Sequence, residues 1–285
     1  MRRSGLPVSL DKALRAAAEQ LALVSDTPRL DAEILLAHAL GISRQDLLLG
    51  RGGGAAPPAF DAFVQRRAAG EPIAYIVGAR DFWSITLKVA PGVLIPRPDS
   101  ETLIEAAVAH FGRKGPGRVL DLGTGPGTLL LAALAEWPEA TGLGIDASDT
   151  ALALARENAE ALGLSERVEF RKGDWAAGLG GAFDLILCNP PYIGVHEEVG
   201  LDVGAFEPPE ALFAGEDGLD DYRVLANQIP RLLAPEGLAA IEIGHAQRIA
   251  VSALFAQPDL ALECRQDLGG RDRAILLRWR GMHFS

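Results

Sequence analysis

Residues 189–192 read Asn-Pro-Pro-Tyr and follow the apolar run 185–188. Two consecutive prolines remove two backbone donors and fix two φ angles, so this segment is stiff and its carbonyls are free to accept hydrogen bonds. The side-chain oxygen of Asn189 and the carbonyl of Pro190 make a pair of acceptors suited to one planar NH2 group. We expect Pro191 to fix that carbonyl and Tyr192 to pack on the substrate.

The chemistry that suits such a pair of acceptors is alkylation of a weakly nucleophilic nitrogen, in an amide or an aryl amine. Two acceptors on the N–H groups raise the electron density on nitrogen and stop the group from rotating. When the methyl donor is already activated as a sulfonium, positioning supplies much of the rate. We therefore expect Asn189, Pro190 and Tyr192 to form the catalytic segment, without a separate Asp, Cys or His base.

A second segment, residues 118–135, has the order strand, glycine-rich turn, helix. Its glycines Gly123, Gly125 and Gly127 have the spacing G-x-G-x-G, whereas a dinucleotide fingerprint would be G-x-G-x-x-G. Without Cβ atoms they let the backbone come close to a ligand, and the following helix presents its amide groups. A tight turn in any α/β fold would give the same pattern, so the neighbouring strand ends must decide.

Acidic residues follow the predicted strands at the ends where ligands bind in parallel sheets. Asp121 lies at the end of the first strand. Asp146 ends the second and can accept from both ribose hydroxyls, because Ser148 is available to cap the next helix. Asp174 follows the third strand and can accept from an exocyclic amine, and Trp175 can cover a purine face. Helix capping by Asp146 and a partly buried loop position for Trp175 remain alternatives.

The order of the elements predicts an α/β fold. Apolar and β-branched runs with helical segments between most of them predict a mostly parallel sheet with helices on both faces. The predicted strands are 118–122, 141–146, 167–171, 183–188, 237–243, 261–267 and 273–280.

The first 80 residues have a different pattern, typical of short helices with short connections. We expect a helix capped by Ser9, a helix that starts at Thr27-Pro28, a brief one after Ser43 and one that starts at Pro58. Residues 82–98 have aromatic and β-branched residues on both sides of Pro91-Gly92 and predict a hairpin. We therefore divide the chain into a helical domain (1–80), a hairpin linker (81–98) and an α/β domain (99–285).

Composition limits the classes of function. The 285 residues are 48% hydrophobic and carry a net charge of −11 with only four lysines, which disfavours general nucleic-acid binding. The two cysteines and five histidines show no disulfide framework and no metal-ligand spacing, so we expect no metal. No signal peptide follows "MRRSGLPVSL", and no apolar run approaches the roughly 20 residues of a membrane span. We expect a cytoplasmic monomer without membrane contact.

The motifs "DLGTGPG", "GID", "GDW" and "NPPY", in this order, resemble class I S-adenosylmethionine-dependent methyltransferases that act on amino groups. Over residues 8–280 the chain resembles the HemK/PrmC-type protein-(glutamine-N5) methyltransferases, which modify class I peptide chain release factors. The segments "EPIAYIVGARDFW", "VLIPRPDSE", "GLDDYRVL" and "EIGHAQ" extend that resemblance. Pro126 departs from the small polar residue common in the loop, and Ser100 stands where threonine is usual.

The resemblance implies a Rossmann-like, seven-stranded, mostly parallel sheet with an antiparallel last hairpin, behind an N-terminal helical domain that engages the release factor. It implies S-adenosylmethionine as cofactor and S-adenosylhomocysteine as product. Residues 189–192 would hold the glutamine of the GGQ motif, and Arg97, between two prolines, would contact substrate, lock its loop or form a surface salt bridge. The implied cofactor-binding residues are Asp121, Gly123, Thr124, Gly125, Pro126, Gly127, Asp146, Asp174, Trp175 and Asn189.

Two other substrates fit the same four-residue motif. An adenine-N6 DNA methyltransferase would also bind an exocyclic amine, but it needs a basic cleft and a base-reading domain. A related enzyme methylates a glutamine of a ribosomal protein, and the shared motifs do not separate it from the release-factor enzyme. The helical residues 9–70 favour the release factor. A non-catalytic binding protein would not need Asn189.

Overall fold

The structure, a computed structural model, describes residues 8–197 and 200–281. The described residues form two compact units, one of residues 8–79 with 200–206 and the other of residues 80–197 with 207–281. The first seven residues, where the sequence predicted no signal peptide, and His283 lie outside the described residues. Within the described ranges, no helix is both long and apolar enough to cross a bilayer.

The first unit is helical, as predicted. Ser43 accepts from the Asp46 amide and caps its helix, and Pro28 is the first residue of the second helix, although the Thr27 side chain makes no capping bond. The predicted cap at Ser9 is wrong, because the helix begins at Val8 and the Ser9 hydroxyl donates to the Gly54 carbonyl. The helices are α1 (Val8–Leu21), α2 (Pro28–Leu40), α3 (Arg44–Leu48), α4 (Pro58–Ala68), α5 (Ile73–Val77) and, later in the chain, α9 (Leu201–Phe206).

Leucines at helical spacing build the core of this unit. Leu10, Leu14 and Leu21 lie on one stripe of α1 and are fully buried, as i, i+4 periodicity predicts for a face turned inward. A buried ion pair joins α4 to α2, since Arg67 Nε lies 2.9 Å from Asp31 Oδ2. The unit therefore has its own hydrophobic core.

The hairpin predicted around Pro91-Gly92 is wrong, and a shorter hairpin lies earlier in the chain. Strands β1 (Ala79–Phe82) and β2 (Ile85–Lys88) pair with each other, and the chain turns at Trp83, whose φ is +53°. The Trp83 amide donates to Glu101 and its indole to Glu136, which holds the turn. After Pro91-Gly92 the residues 93–97 form no strand. Proline cannot donate to a ladder, and this segment contains Pro96.

The second unit contains the predicted seven-stranded sheet. Its order is β5-β4-β3-β6-β7-β9-β8; the first five strands are parallel, and β9 is antiparallel to both neighbours. All predicted strands are present within one residue at each end, except that β7 begins four residues earlier. The strands are β3 (Arg118–Leu122), β4 (Thr141–Asp146), β5 (Val168–Lys172), β6 (Phe183–Cys188), β7 (Leu233–Glu242), β8 (Leu260–Gln266) and β9 (Asp272–Trp279).

Helices cover both faces of this sheet. Because side chains alternate along a strand, Val119 belongs to one hydrophobic cluster while Leu120 and Leu122 belong to the other. The carboxyl ends of β3, β4, β5 and β6 therefore meet at one edge between two cores. The helices are α6 (Glu101–Phe111), α7 (Thr128–Glu136), α8 (Asp149–Ala161), α10 (Asp220–Gln228) and α11 (Arg248–Leu254).

Candidate active site

A cavity of about 580 Å³ lies in the second unit at the carboxyl ends of these strands. Most of the residues predicted from the sequence form its wall, whereas Gly127, Pro190 and Tyr192 do not. The predicted residues on the wall are Arg97, Asp121, Gly123, Thr124, Gly125, Pro126, Asp146, Asp174, Trp175, Asn189 and Pro191.

The glycine-rich turn lies between the ends of β3 and β4. The amides of Gly123 and Thr124 both donate to the Ile145 carbonyl at 2.9 Å, which ties the turn to β4. Gly125 has a φ of +55°, and a Cβ built on it would meet no atom within 4 Å. The backbone of Gly125 therefore faces open space on the cavity wall, as expected for a loop that approaches a ligand.

Gly127 lies behind the wall. Its φ is +87°, and a built Cβ would lie 2.7 Å from Leu131 Cδ1, so the missing side chain makes room for the first turn of α7. Glycine is needed here for packing, a reason the spacing alone did not distinguish from ligand contact. Next to it, the Pro126 carbonyl accepts from Asn158 Nδ2 at 2.9 Å, which holds the loop against α8.

Asp146 lies at the end of β4, where it was predicted. Ser148 caps α8 by accepting from the Ala151 amide, as expected, but Asp146 is not left free by this. Asp146 Oδ2 accepts from the Gly125 amide at 2.8 Å and Oδ1 from the Ser148 amide at 2.9 Å. These bonds orient the carboxylate, and each oxygen keeps a second lone pair for a ligand hydroxyl.

Asp121 is the most buried acid of the wall. Its Oδ2 accepts from Thr124 Oγ1 at 2.7 Å and from the Leu130 amide, while Oδ1 has no hydrogen-bond partner among the described residues. Burial raises the pKa of Asp121 to about 7, against the lowering effect of the Thr124 hydrogen bond. A buried carboxyl oxygen without a partner beside a cavity is suited to pair with a cationic ligand group.

Trp175 is held in a strained backbone conformation. Its φ is +50°, unusual for a residue with a bulky side chain, and its indole Nε1 donates to Asp221 Oδ1 at 3.1 Å. The ring lies over Gly123, where a built Cβ would approach Cζ3 to 3.1 Å. The preceding Asp174 is exposed. The strain marks a site where a specific aromatic orientation is needed.

Asn189 lies on the wall with its two amide ends in different surroundings. Its Nδ2 donates to Ser100 Oγ at 3.1 Å, so its Oδ1 is the end available to a ligand. Pro190 is buried. The Tyr192 carbonyl accepts from Gln247 Nε2 at 2.9 Å, and burial together with Glu242 raises the pKa of Tyr192 to about 12. Tyr192 therefore remains a neutral phenol behind the cavity.

Arg97 forms an ion pair within its own unit. Its Nη2 lies 2.6 Å from Glu207 Oε1, and the Glu207 side chain is 1% exposed and also accepts from the Ile95 amide. Pairing with a buried partner excludes a simple surface salt bridge and favours the loop-locking alternative. Contact of Arg97 with substrate stays a prediction.

Some residues of the site were not predicted from the sequence. Ser100, Asp221 and Gln247 each bond a predicted residue, and each lies in a segment that carried the family resemblance. Glu242, in the last of these segments, accepts from Ser100 deep in the protein. Glu207 lies in none of those segments, and no local signal marks it.

The wall suits a cationic nucleoside. Asp121, Asp146 and Asp174 bring negative charge to the glycine-rich turn, and Trp175 offers an aromatic face beside it. No cluster of three or more His, Cys, Asp or Glu side chains arranged to hold a metal occurs in the described part of the chain.

Comparisons with known proteins agree with this fold. A family model described as the PrmC N-terminal domain matches residues 12–78, and one described as a methyltransferase domain matches residues 114–261. A release factor glutamine methyltransferase from Rhodospirillum rubrum is 46% identical over 261 residues, covering 90% of this chain and 80% of that protein. Its counterpart from Caulobacter vibrioides is 43% identical over 280 residues, covering 95% of this chain and 96% of that protein.

Among solved structures, a methyltransferase from Pyrococcus furiosus has a TM-score of 0.51 at 20% identity, covering 69% of this chain and 89% of that one. The sheet order and the matched methyltransferase domain define a class I methyltransferase. With whole-chain identities above 40%, the chain belongs to the release factor glutamine methyltransferase family.

Proposed function

We propose that this protein transfers a methyl group from S-adenosylmethionine to the side-chain amide nitrogen of the glutamine in the GGQ motif of class I peptide chain release factors. One observation carries the proposal: Asn189 Nδ2 is engaged by Ser100, which leaves Oδ1 as an acceptor on the cavity wall. An acceptor there suits a substrate that presents N–H groups. The family to which the chain belongs supports the choice of glutamine.

The cofactor would be held by the glycine-rich turn and its neighbours. Asp146 would accept from the ribose hydroxyls, Trp175 would cover the adenine with Asp174 near its amine, and the orphaned Asp121 Oδ1 would pair with the ammonium group. When bound, S-adenosylmethionine supplies an electrophilic methyl group, the C–S bonding pair staying on sulfur as the nitrogen lone pair forms the C–N bond.

The substrate amide would be held by Asn189 Oδ1 on the cavity wall and by the carbonyl of Pro190, a residue that is itself buried beside that wall, each accepting one N–H bond. Fixing both hydrogens orients the nitrogen lone pair and limits rotation, so the residues act by positioning and by electrostatic stabilisation. The surplus proton on nitrogen would leave to water.

An amide looks much the same on every glutamine, so the cavity alone would discriminate poorly between proteins. Remote contacts must supply the specificity, and their binding energy helps to position the reacting group. We assign this role to the helical domain, residues 1–80, with catalysis in residues 99–285.

The experiment that tests the proposal is mass spectrometry of purified substrates after incubation with the wild-type protein and isotopically labelled S-adenosylmethionine. The substrates are an intact class I release factor, a short peptide with the GGQ sequence, ribosomal proteins and duplex DNA. We expect one labelled methyl group on the GGQ glutamine of the intact factor and slower labelling of the peptide. Label only on a ribosomal-protein glutamine or on adenine would overturn the substrate assignment, and equal rates on factor and peptide would overturn the docking role.

A further inference from the structure

A chain of two hydrogen bonds runs from the cavity wall into the protein behind Asn189. Asn189 Nδ2 donates to Ser100 Oγ, and Ser100 Oγ donates to Glu242 Oε2. Ser100 is 2% exposed and Glu242 is 1% exposed. Three elements contribute one residue each: the end of β6, the start of α6 and the end of β7.

The number of hydrogens in this chain determines which way the amide points. An ionised carboxylate only accepts, so Glu242 uses the single hydroxyl hydrogen of Ser100. Ser100 Oγ can then only accept from Asn189, and only the NH2 end of that amide can donate. The Oδ1 end must therefore face the cavity.

We propose that Ser100 and Glu242 are positioning residues that hold the Asn189 oxygen toward the reacting nitrogen. This inference rests on the proposed function, in which Asn189 accepts an N–H bond from the substrate amide. Ser100 borders the cavity but is nearly fully buried, and Glu242 does not line it. Both act through the orientation of Asn189.

Protonation of Glu242 reverses the donor and acceptor roles along these two hydrogen bonds. A protonated carboxyl can donate to Ser100, which frees the Ser100 hydrogen to reach Asn189 Oδ1 and allows the NH2 end to face the cavity. Burial raises the pKa of Glu242 to about 7, against the lowering effects of the Ser100 hydrogen bond and of Arg273. The rate should therefore fall as the pH drops through about 7.

The charged and titratable groups around Glu242 come from several elements. Tyr192 has a pKa raised to about 12 by burial, and burial raises the pKa values of Tyr222 and Cys188 well above their usual range. These three groups therefore stay neutral near pH 7, and arginine stays cationic. The groups that face Glu242 are Arg273 on β9, Asp99 and Arg97 before α6, Tyr192 and Cys188 at the end of β6, and Tyr222 on α10.

A purely structural role for the two hydrogen bonds that link Asn189, Ser100 and Glu242 does not explain why the buried acid is incompletely satisfied. Glu242 Oε1 has no partner among the described residues, and a half-satisfied buried acid usually costs stability. Replacing the acid by an amide should leave the fold intact. Ser100 and Glu242 are therefore better explained by their effect on the orientation of the Asn189 amide.

The test compares Ser100→Ala, Ser100→Thr and Glu242→Gln with wild type, using methylation of an intact release factor at saturating S-adenosylmethionine. We expect Ser100→Ala to lower kcat about 10- to 100-fold, a typical cost of losing a supporting contact, with KM and cofactor Kd changed less than about 2-fold. Ser100→Thr keeps the hydroxyl and should restore kcat. Tyr222→Phe is the matched control, because it removes a buried 2.8 Å bond to the Glu242 main-chain carbonyl and leaves the chain to Asn189 intact.

The pH profile separates positioning from general stabilisation. Between about pH 5.5 and pH 8.5, kcat of the wild type should rise and level off above about pH 7, whereas Glu242→Gln should be slower and nearly independent of pH. A folded Ser100→Ala variant with wild-type kcat would overturn the proposal. So would an unchanged pH profile in Glu242→Gln, or an equal loss of kcat in Tyr222→Phe. If Ser100→Ala does not fold, the profiles of Ser100→Thr and Glu242→Gln decide; a wild type that methylates no glutamine overturns the proposed function instead.

Discussion

The side-chain amide of Asn189 has one end that donates hydrogen bonds and one that accepts them, and the two ends have nearly the same size and shape. Its orientation depends on Ser100, which receives the NH2 end at 3.1 Å. The proposed catalytic role of Asn189 therefore depends on one atom, Oδ1, and on the direction in which it points.

We expect Asn189→Ala to lower methyl transfer about 10²- to 10³-fold, the usual cost of losing one preorganised hydrogen-bonding group at a reacting centre. Cofactor affinity should stay within a few-fold. Single-turnover kinetics and calorimetry measure the two effects. Asn227→Ala, at an exposed position of α10, is the matched control. Near-normal turnover by the Asn189 variant would remove this residue from the catalytic segment.

Through the proposed pairing of Asp121 with the ammonium group of the cofactor, we expect cofactor binding to depend on pH. Only the ionised carboxylate can pair with an ammonium group, and burial raises its pKa to about 7. We expect affinity for S-adenosylmethionine to increase about 10-fold between pH 5.5 and pH 7, as this single group ionises. Asp121→Asn should bind more weakly and lose most of that dependence, which calorimetry at several pH values would detect.

The surface variant Asp149→Asn, which replaces an exposed acid paired with Lys172, should keep the wild-type pH dependence. If Asp121→Asn keeps it too, the ionisation that controls binding belongs to another group.

At the scale of elements, the start of α7 joins the glycine-rich turn to the sheet. Gly127→Ala would place a Cβ 2.7 Å from Leu131 Cδ1 in a residue with φ +87°, and Leu131 is fully buried. A left-handed conformation costs about 1–2 kcal/mol and overpacking a further 1–3 kcal/mol. We expect the free energy of unfolding in urea to fall by about 2–4 kcal/mol.

Gly163→Ala is the matched control for Gly127→Ala. Gly163 has a φ of +69°, but a built Cβ meets nothing within 4 Å, so only the conformational cost of about 1–2 kcal/mol applies. Equal losses in the two variants would show that the clash with Leu131 is relieved at no cost.

At the scale of the whole molecule, two buried acids make stability depend on pH. The pKa values of Asp121 and Glu242 are both about 7 in the folded protein, above their ordinary values of 3.8 and 4.5. The folded state therefore binds these protons more tightly than the unfolded state. Their contribution is complete below about pH 4 and is lost as the pH rises through about 7.

We expect the free energy of unfolding to decrease by about 2 kcal/mol per acid between pH 5 and pH 8, since one pKa unit corresponds to about 1.4 kcal/mol. The double variant Asp121→Asn/Glu242→Gln should lose most of this decrease. Urea unfolding at four pH values in that range measures it. A double variant with the wild-type slope would assign the pH dependence to other groups.

The sequence alone determined the order of elements and most of the cavity wall. Alternating apolar runs and helices specify a parallel α/β sheet, and strand ends in such a sheet meet at one edge, so Asp121, Asp146 and Asn189 could be placed together before any coordinates. These inferences rest on local sequence patterns, namely apolar periodicity and motif spacing, which are present in a single sequence.

Tertiary structure decided the partners of those residues. Ser100 and Glu242 lie 142 residues apart and Arg97 and Glu207 lie 110 apart, so no local pattern indicates either contact. The packing role of Gly127 could be distinguished from the open position of Gly125 only by the atoms that lie beside each glycine. The hairpin turned at Trp83 because Glu101 and Glu136, from later helices, bond that residue. Side-chain hydrogen bonds between distant segments depend on three-dimensional packing, which periodicity and spacing do not contain.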